Sequence, residues 1–144
     1  NKILGYSTLS LDILKAIIPI LLINFYFPEY IFVSSLSVFL GHIFPVWLRF
    51  KGGKGVATYV GILFCLNFML GIIFVVTWFL IFFIFKFSSL SSLVASLIIP
   101  IYQFYYVDDK NYYFYIIMFI LIFFTHRENI KRLINKTESK TKIY

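Results

Sequence analysis

The chain has 144 residues, 61% of them hydrophobic and 22% aromatic, and a formal charge of +7. A soluble domain of this size cannot bury so much apolar surface, and the mean hydropathy of +0.92 makes lipid the solvent for most of it. The charges fall between apolar runs, so the positive excess points to membrane headgroups and small anions and away from nucleic acid.

A spanning helix takes about 20 apolar residues, and the first candidate is residues 3–24. It carries Asp12 and Lys15, spaced to share one helix face and pair. An unpaired charge at that depth is costly, so a structural ion pair facing other helices is the first reading and a catalytic role the lesser one. Residues 25–30, with Pro28 and Glu29, form a polar turn. The second candidate runs over 31–48, with Pro45 expected to bend it near its end. His42 lies on this segment, and a packed or hydrogen-bonded structural role is its first reading.

Gly52-Gly53-Lys54-Gly55 follows, a polar and flexible stretch between strongly apolar runs. Glycines permit close backbone approach. Successive amides beside a lysine can form an anion-binding nest, and the N-terminus of a helix starting at Val56 would add its dipole. The pattern is no Walker loop: Leu48 stands where that motif needs glycine, and no Ser or Thr follows Lys54 directly. The residues alone leave two readings, a cationic turn between spans or a phosphate cradle at a membrane surface.

Residues 56–85 carry no charge. As one helix they would extend about 45 Å, against about 30 Å of hydrocarbon. A hairpin of short helices turning near Asn67 and Gly71 fits better and keeps Lys86 on the side of Lys51 and Lys54. Cys65, the only cysteine, lies in this run and has no internal partner for a disulfide. The fifth candidate is 89–106, with Pro100 inside it. Ser88, Ser89, Ser91 and Ser92 suit its N-cap, although one hydroxyl can instead serve a phosphate. A loop at 107–111 holds Asp108, Asp109 and Lys110, and the sixth candidate is 112–125.

With six crossings, one side collects Lys2, Arg49, Lys51, Lys54, Lys86 and the cations of the tail. The other has Lys110 beside Glu29, Asp108 and Asp109. The positive-inside rule then places the glycine loop and the tail in the cytoplasm. Tyr26, Tyr30, Tyr105, Tyr106, Tyr112 and Tyr113 gather on the outer side as an aromatic belt.

In the tail, a helical 126–133 puts His126, Asn129, Ile130 and Leu133 on one face and spreads Arg127, Glu128, Lys131 and Arg132 over the rest. His126 and Asn129 thus travel with the side that packs on the protein, where an imidazole and an amide need partners. The segment reads either as a cap and tether or as an inward-facing site with His126 as proton acceptor near neutral pH. Lys131 and Arg132 read first as topology signals and headgroup contacts.

His42, Phe44, Pro45, Phe50 and the run from Gly52 to Thr58 resemble the second signature of the bacterial acyl-phosphate-dependent glycerol-3-phosphate acyltransferases, the PlsY family. His126-Arg127-Glu128-Asn129-Ile130-Lys131-Arg132-Leu133, followed by Glu138 and Lys140, resembles that family's last signature. Lys86-Phe87-Ser88-Ser89-Leu90-Ser91-Ser92 is a weaker match, and Asp12-Ile13-Leu14-Lys15 extends the likeness toward the start.

The resemblance implies an all-α polytopic integral membrane protein of seven transmembrane helices, six of them in this chain, with a short interfacial C-terminal helix. It implies a single transmembrane acyltransferase domain over 1–144, N-terminally incomplete, because the family's first helix and its serine- and arginine-bearing first signature are expected upstream of residue 1. The implied enzyme sits in the bacterial inner membrane with its active site toward the cytoplasm, and it serves phospholipid biosynthesis. It moves a fatty acyl group from acyl phosphate to the 1-hydroxyl of glycerol 3-phosphate, giving lysophosphatidic acid and phosphate, without cofactor or metal. Its catalytic residues would be His126, steadied by Asn129, and Lys54. Gly52, Gly53, Gly55, Ser89 and Arg127 would bind phosphate, with His42 and Thr58 in support.

Two rivals remain at this stage. A small transporter or channel for an anionic solute would use the glycine loop as its selectivity element. It needs polar groups at mid-depth, where Asp12, Lys15 and a few hydroxyls and amides qualify. A non-catalytic membrane subunit would use its loops to dock a partner.

Overall fold

The computed structural model describes residues 2–107 and 111–141, with side chains from Ser7 onward. The helices are α1 (Lys2–Tyr26), α2 (Ile31–Ile43), α3 (Val56–Leu66), α4 (Phe68–Phe85), α5 (Ser88–Tyr106), α6 (Tyr112–Thr125) and α7 (Arg127–Ile134). Short 3-10 turns cover Pro28–Tyr30 and Val46–Leu48. The expected acidic loop at Asp108, Asp109 and Lys110, the side chain of Lys2 and the tail cation Lys142 lie outside the described residues.

Helices satisfy their own backbone polar groups, which is what lipid demands. Ser7–Tyr26, Pro28–Leu48, Phe68–Phe85 and Ser88–Tyr106 are long and apolar enough to cross a membrane, while Val56–Leu66 and Tyr112–Thr125 are apolar but shorter. Leu11, Ile18, Val33, Phe83 and Ile120 stand exposed, as side chains facing lipid do.

The chain forms two compact units, Asn1–Gly71 and Ile72–Tyr144. In the first, α1 packs on α2 and α3. Small residues set the spacing: a Cβ on Gly61 would stand 3.0 Å from the Ile13 carbonyl oxygen and 3.3 Å from the Ala16 Cβ. Ala16, Ile20, Phe39, Tyr59, Ile62 and Leu63 are buried there, with Phe39 and Tyr59 in an edge contact at 6.3 Å between ring centroids.

Pro45 ends α2 instead of bending it. The helix stops at Ile43, Phe44 takes φ −125° and ψ 55°, and Pro45 is extended at φ −67° and ψ 124°. The proline ring disfavours a helical conformation in the residue before it, so the boundary falls there and a 3-10 turn follows.

The break between α3 and α4 falls on Asn67 alone, extended at φ −159° and ψ 116°. Its Oδ1 accepts from the Met69 N–H at 2.9 Å, capping α4. Gly71 lies inside α4 and provides the bare face on which Phe64 rests, 2.5 Å from where a Cβ would sit. In one straight helix these residues would be about 10 Å apart along the axis, so the chain turns sharply at Asn67.

In the second unit α5 packs on α6 and α7. Its buried face is small and polar, with Ser89, Ser91, Ala95, Ser96, Ile99 and Gln103 among its residues. The Ser91 and Ser92 hydroxyls donate back to the Phe87 and Ser88 carbonyls, each at 2.9 Å. Trp78 Nε1–H donates to Ser92 Oγ at 3.1 Å. Tyr115, Met118 and Ile122 of α6 complete this core.

Candidate active site

In the first unit, the chain leaves Pro45 and folds back on the end of α2. Arg49 and Phe50 take φ of 51° and 61°, the Phe50 amide donates to the Pro45 carbonyl at 2.9 Å, and the Gly52 amide donates to the Ile43 carbonyl at 3.3 Å. Gly55, at φ 83°, starts α3, and a Cβ there would lie 2.5 Å from the Phe39 ring. Gly53 lies so close to His42 that a Cβ would collide with Nε2 of the ring. Lys54 is exposed between these glycines. A cation beside bare backbone at a helix N-terminus is suited to hold an anion.

Behind the loop, Lys15 Nζ donates to Asp12 Oδ1 and to His42 Nδ1, each at 2.6 Å. Thr58 is fully buried, and its hydroxyl reaches the Asp12 carbonyl at 3.4 Å. The structure therefore brings His42, Thr58 and the glycines together and adds Asp12 and Lys15 to them.

In the second unit, His126 joins α6 to α7 and is 1% exposed. Its Nδ1 lies 2.9 Å from the Ile122 carbonyl oxygen. A carbonyl only accepts, so Nδ1 carries the proton and the neutral ring keeps a basic lone pair on Nε2. Thr125 Oγ1 lies 3.4 Å from the same Nδ1. Asn129, also buried, turns its Nδ2 to Glu138 Oε1 at 2.7 Å. The backbone carbonyl of Ile122 therefore orients the imidazole, while the Asn129 amide nitrogen goes to the tail.

Glu138, which the last signature includes without a role, is a hub. Ser89 Oγ also donates to its Oε1 at 2.7 Å, and Arg132 Nε donates to Oε2 at 2.7 Å. Burial alone would raise the pKa of this carboxyl, but the hydrogen bonds from Ser89, Asn129 and Arg132 and the Arg132 charge outweigh it and bring the value down to about 2. The Thr141 amide donates to the Lys86 carbonyl at 2.9 Å, so the tail is pinned along the start of α5. Arg127 is 57% exposed, with its guanidinium 4.7 Å over the Phe124 ring and donating to the Phe124 carbonyl at 3.2 Å. Among the described residues no group of three or more His, Cys, Asp or Glu side chains comes together.

The signal for Glu138 was present, since it belongs to the last signature quoted above. Arg132, read as a topology signal, pairs with it.

Residues 1–136 match the family described as glycerol-3-phosphate acyltransferase. A glycerol-3-phosphate acyltransferase of Pelagibacter ubique (strain HTCC1062) is 62% identical over 144 residues, 100% of this chain and 75% of the relative. One from Mesorhizobium japonicum is 44% identical over 140 residues, 97% of this chain and 72% of the relative. The crystal structure of PlsY (YgiH), an integral membrane glycerol 3-phosphate acyltransferase in its glycerol 3-phosphate form, matches at TM-score 0.89 and 33% identity, over 98% of this chain and 72% of that one. Its lysophosphatidic acid form matches at the same TM-score, with 74% of that chain covered.

Proposed function

The chain belongs to the glycerol-3-phosphate acyltransferase family and is a membrane acyltransferase, and on that premise we propose that it moves a fatty acyl group from acyl phosphate to the 1-hydroxyl of glycerol 3-phosphate. The products are lysophosphatidic acid and inorganic phosphate. The observation that carries this reading is the likeness, at TM-score 0.89, to a relative crystallised in a glycerol 3-phosphate form and in a lysophosphatidic acid form. These are the acceptor and the product of such a transfer.

His126 Nε2 takes the proton of the 1-hydroxyl, which that tautomer permits. The hydroxyl oxygen bonds to the acyl carbonyl carbon. The bond from that carbon to the phosphate oxygen breaks, and its electron pair leaves on the phosphate. Acyl phosphate is already activated, so no acyl-enzyme forms. Lys54, with the backbone of Gly52, Gly53 and Gly55, offsets the charge of the phosphates and of the departing group. Arg127 adds positive charge beside His126. Ser89 and Asn129 act through Glu138, whose carboxylate accepts their hydrogen bonds; His42 and Thr58 support the loop. The fatty chain lies among the helices, open to lipid.

The chain is a single transmembrane acyltransferase domain over 1–144 with six crossings, in the bacterial inner membrane, its loop and tail toward the cytoplasm. The positive-inside charge distribution supports this orientation.

The test reconstitutes the intact protein in liposomes with labelled glycerol 3-phosphate and either acyl phosphate or acyl-CoA. Labelled lysophosphatidic acid is expected from acyl phosphate alone. His126→Ala and Lys54→Ala are each expected to lower the rate by roughly 100-fold or more. No product from the intact protein with either donor overturns the reading.

A further inference from the structure

The two histidines are held in opposite ways. Where His126 Nδ1 faces a carbonyl oxygen, His42 Nδ1 faces the Lys15 ammonium at 2.6 Å. An ammonium has donors and no acceptor, so His42 Nδ1 must offer its lone pair, and the proton of the neutral ring sits on Nε2. That nitrogen is the one packed against Gly53. The His42 side chain is 9% exposed, so the ring has little room to turn away.

Asp12 fixes the arrangement from the other side. Its Oδ1 takes Lys15 Nζ at 2.6 Å and stands 3.7 Å from His42 Nδ1, beyond hydrogen-bond range. Lys15 thus stands between the carboxylate and the imidazole. Without the ammonium, Nδ1 would turn its own proton to Asp12, and a neutral ring would then present a lone pair to the loop. An anion at Gly53 would be repelled by that lone pair and attracted by an N–H.

We propose that Asp12 and Lys15 are positioning residues that hold His42 as a neutral Nε2–H donor aimed at the 52–55 loop, where it donates a hydrogen bond to the phosphate group that the loop binds. The role is carried by α1, whose partly exposed ion pair otherwise has no part in the chemistry. The inference rests on the reading of the loop as a phosphate site. Glycerol 3-phosphate and acyl phosphate both present the required phosphate oxygens, and separate titrations of the two distinguish them.

His42→Phe keeps a flat ring against Gly53 but has no N–H, whereas His42→Gln restores an N–H donor near the Nε2 position. Lys15→Met removes the donor to Nδ1, and Lys15→Arg keeps one. In the reconstituted protein, His42→Phe and Lys15→Met are each expected to raise KM for one of the two phosphate substrates about tenfold, with kcat changed much less. His42→Gln and Lys15→Arg should recover most of the loss. In 15N spectra of histidine-labelled protein in detergent, the signal removed by His42→Gln should be that of a neutral Nε2–H ring, and Lys15→Met should shift the His42 ring out of that form. A His42 ring protonated on Nδ1 in the unaltered protein overturns the proposal. So does an unchanged KM for both substrates in His42→Phe when Lys54→Ala is impaired. If Lys54→Ala is as active as the unaltered protein, the phosphate-loop reading fails as well.

Discussion

Lys136 sits at φ 56°, in the left-handed region, where a side chain other than glycine is strained. The geometry is imposed by the end of α7: the Thr137 amide donates to the Arg132 carbonyl at 2.8 Å and the Lys136 amide to the Leu133 carbonyl at 3.2 Å. These are the paired bonds of a Schellman cap, in which glycine is the favoured residue at this position. Lys136→Gly is expected to stabilise the fold by about 0.5–1 kcal/mol, read as a higher thermal unfolding midpoint in detergent. Glu138, two residues on, is the reverse case, because its neighbours favour its charged form. Its folded-state pKa, brought to about 2 from the ordinary 4.5, lies below the unfolded value. The unfolded chain therefore binds more protons between those values, so the contribution of Glu138 is complete above about pH 4.5 and lost as pH falls toward 2. Glu138→Gln cannot match the Arg132 donor with its amide nitrogen. It is expected to cost about 2 kcal/mol near neutral pH and to flatten the pH dependence of the unfolding midpoint below about pH 4.5.

At the scale of elements, the break between α3 and α4 depends on a single side chain. Asn67 ends one helix in an extended conformation and caps the next through its Oδ1 at 2.9 Å. Asn67→Ala is expected to lower stability by about 1 kcal/mol, measured as the unfolding midpoint of the detergent-solubilised protein; no change would mean that Phe64 and Gly71 alone hold the turn. This break was legible in the sequence because an uncharged run too long for one span must be interrupted, and asparagine is among its few polar residues. The inward face of α7 was legible too, since helical periodicity alone puts His126 and Asn129 together, and both are buried. Pro45 was read as a bend, although the restriction on Phe44 before it argues for a stop. What no local pattern encodes is contact across the chain. Ser89 meets Glu138 at a separation of 49 residues, and Lys15 meets His42 at 27. The charged pair on α1 could be recognised as paired, but its imidazole neighbour could not.

For the whole molecule, the number of crossings decides which face each polar segment occupies. α3 has 11 residues and α6 has 14, about 16 Å and 21 Å of helix. Neither reaches across about 30 Å of hydrocarbon unless the bilayer thins or the flanking turns sink into the interface. If α3 and α4 crossed together as one span, Lys86 would leave on the side opposite Lys54; if each crosses, the two share a face. The charges favour the second arrangement, because Lys51, Lys54, Lys86, Lys131, Lys136 and Lys140 then all lie on the positive side and Glu29 on the other. A single-cysteine series on a Cys65→Ser background checks this, with cysteines placed one at a time at Glu29, Lys54, Lys86 and Lys140. An impermeant thiol reagent added outside spheroplasts is expected to label the cysteine at Glu29 only, and to reach the other three once the membrane is opened. Labelling of the Lys86 position from outside, with that of Lys54 still protected, would reduce α3 and α4 to a single crossing and remove the six-span arrangement.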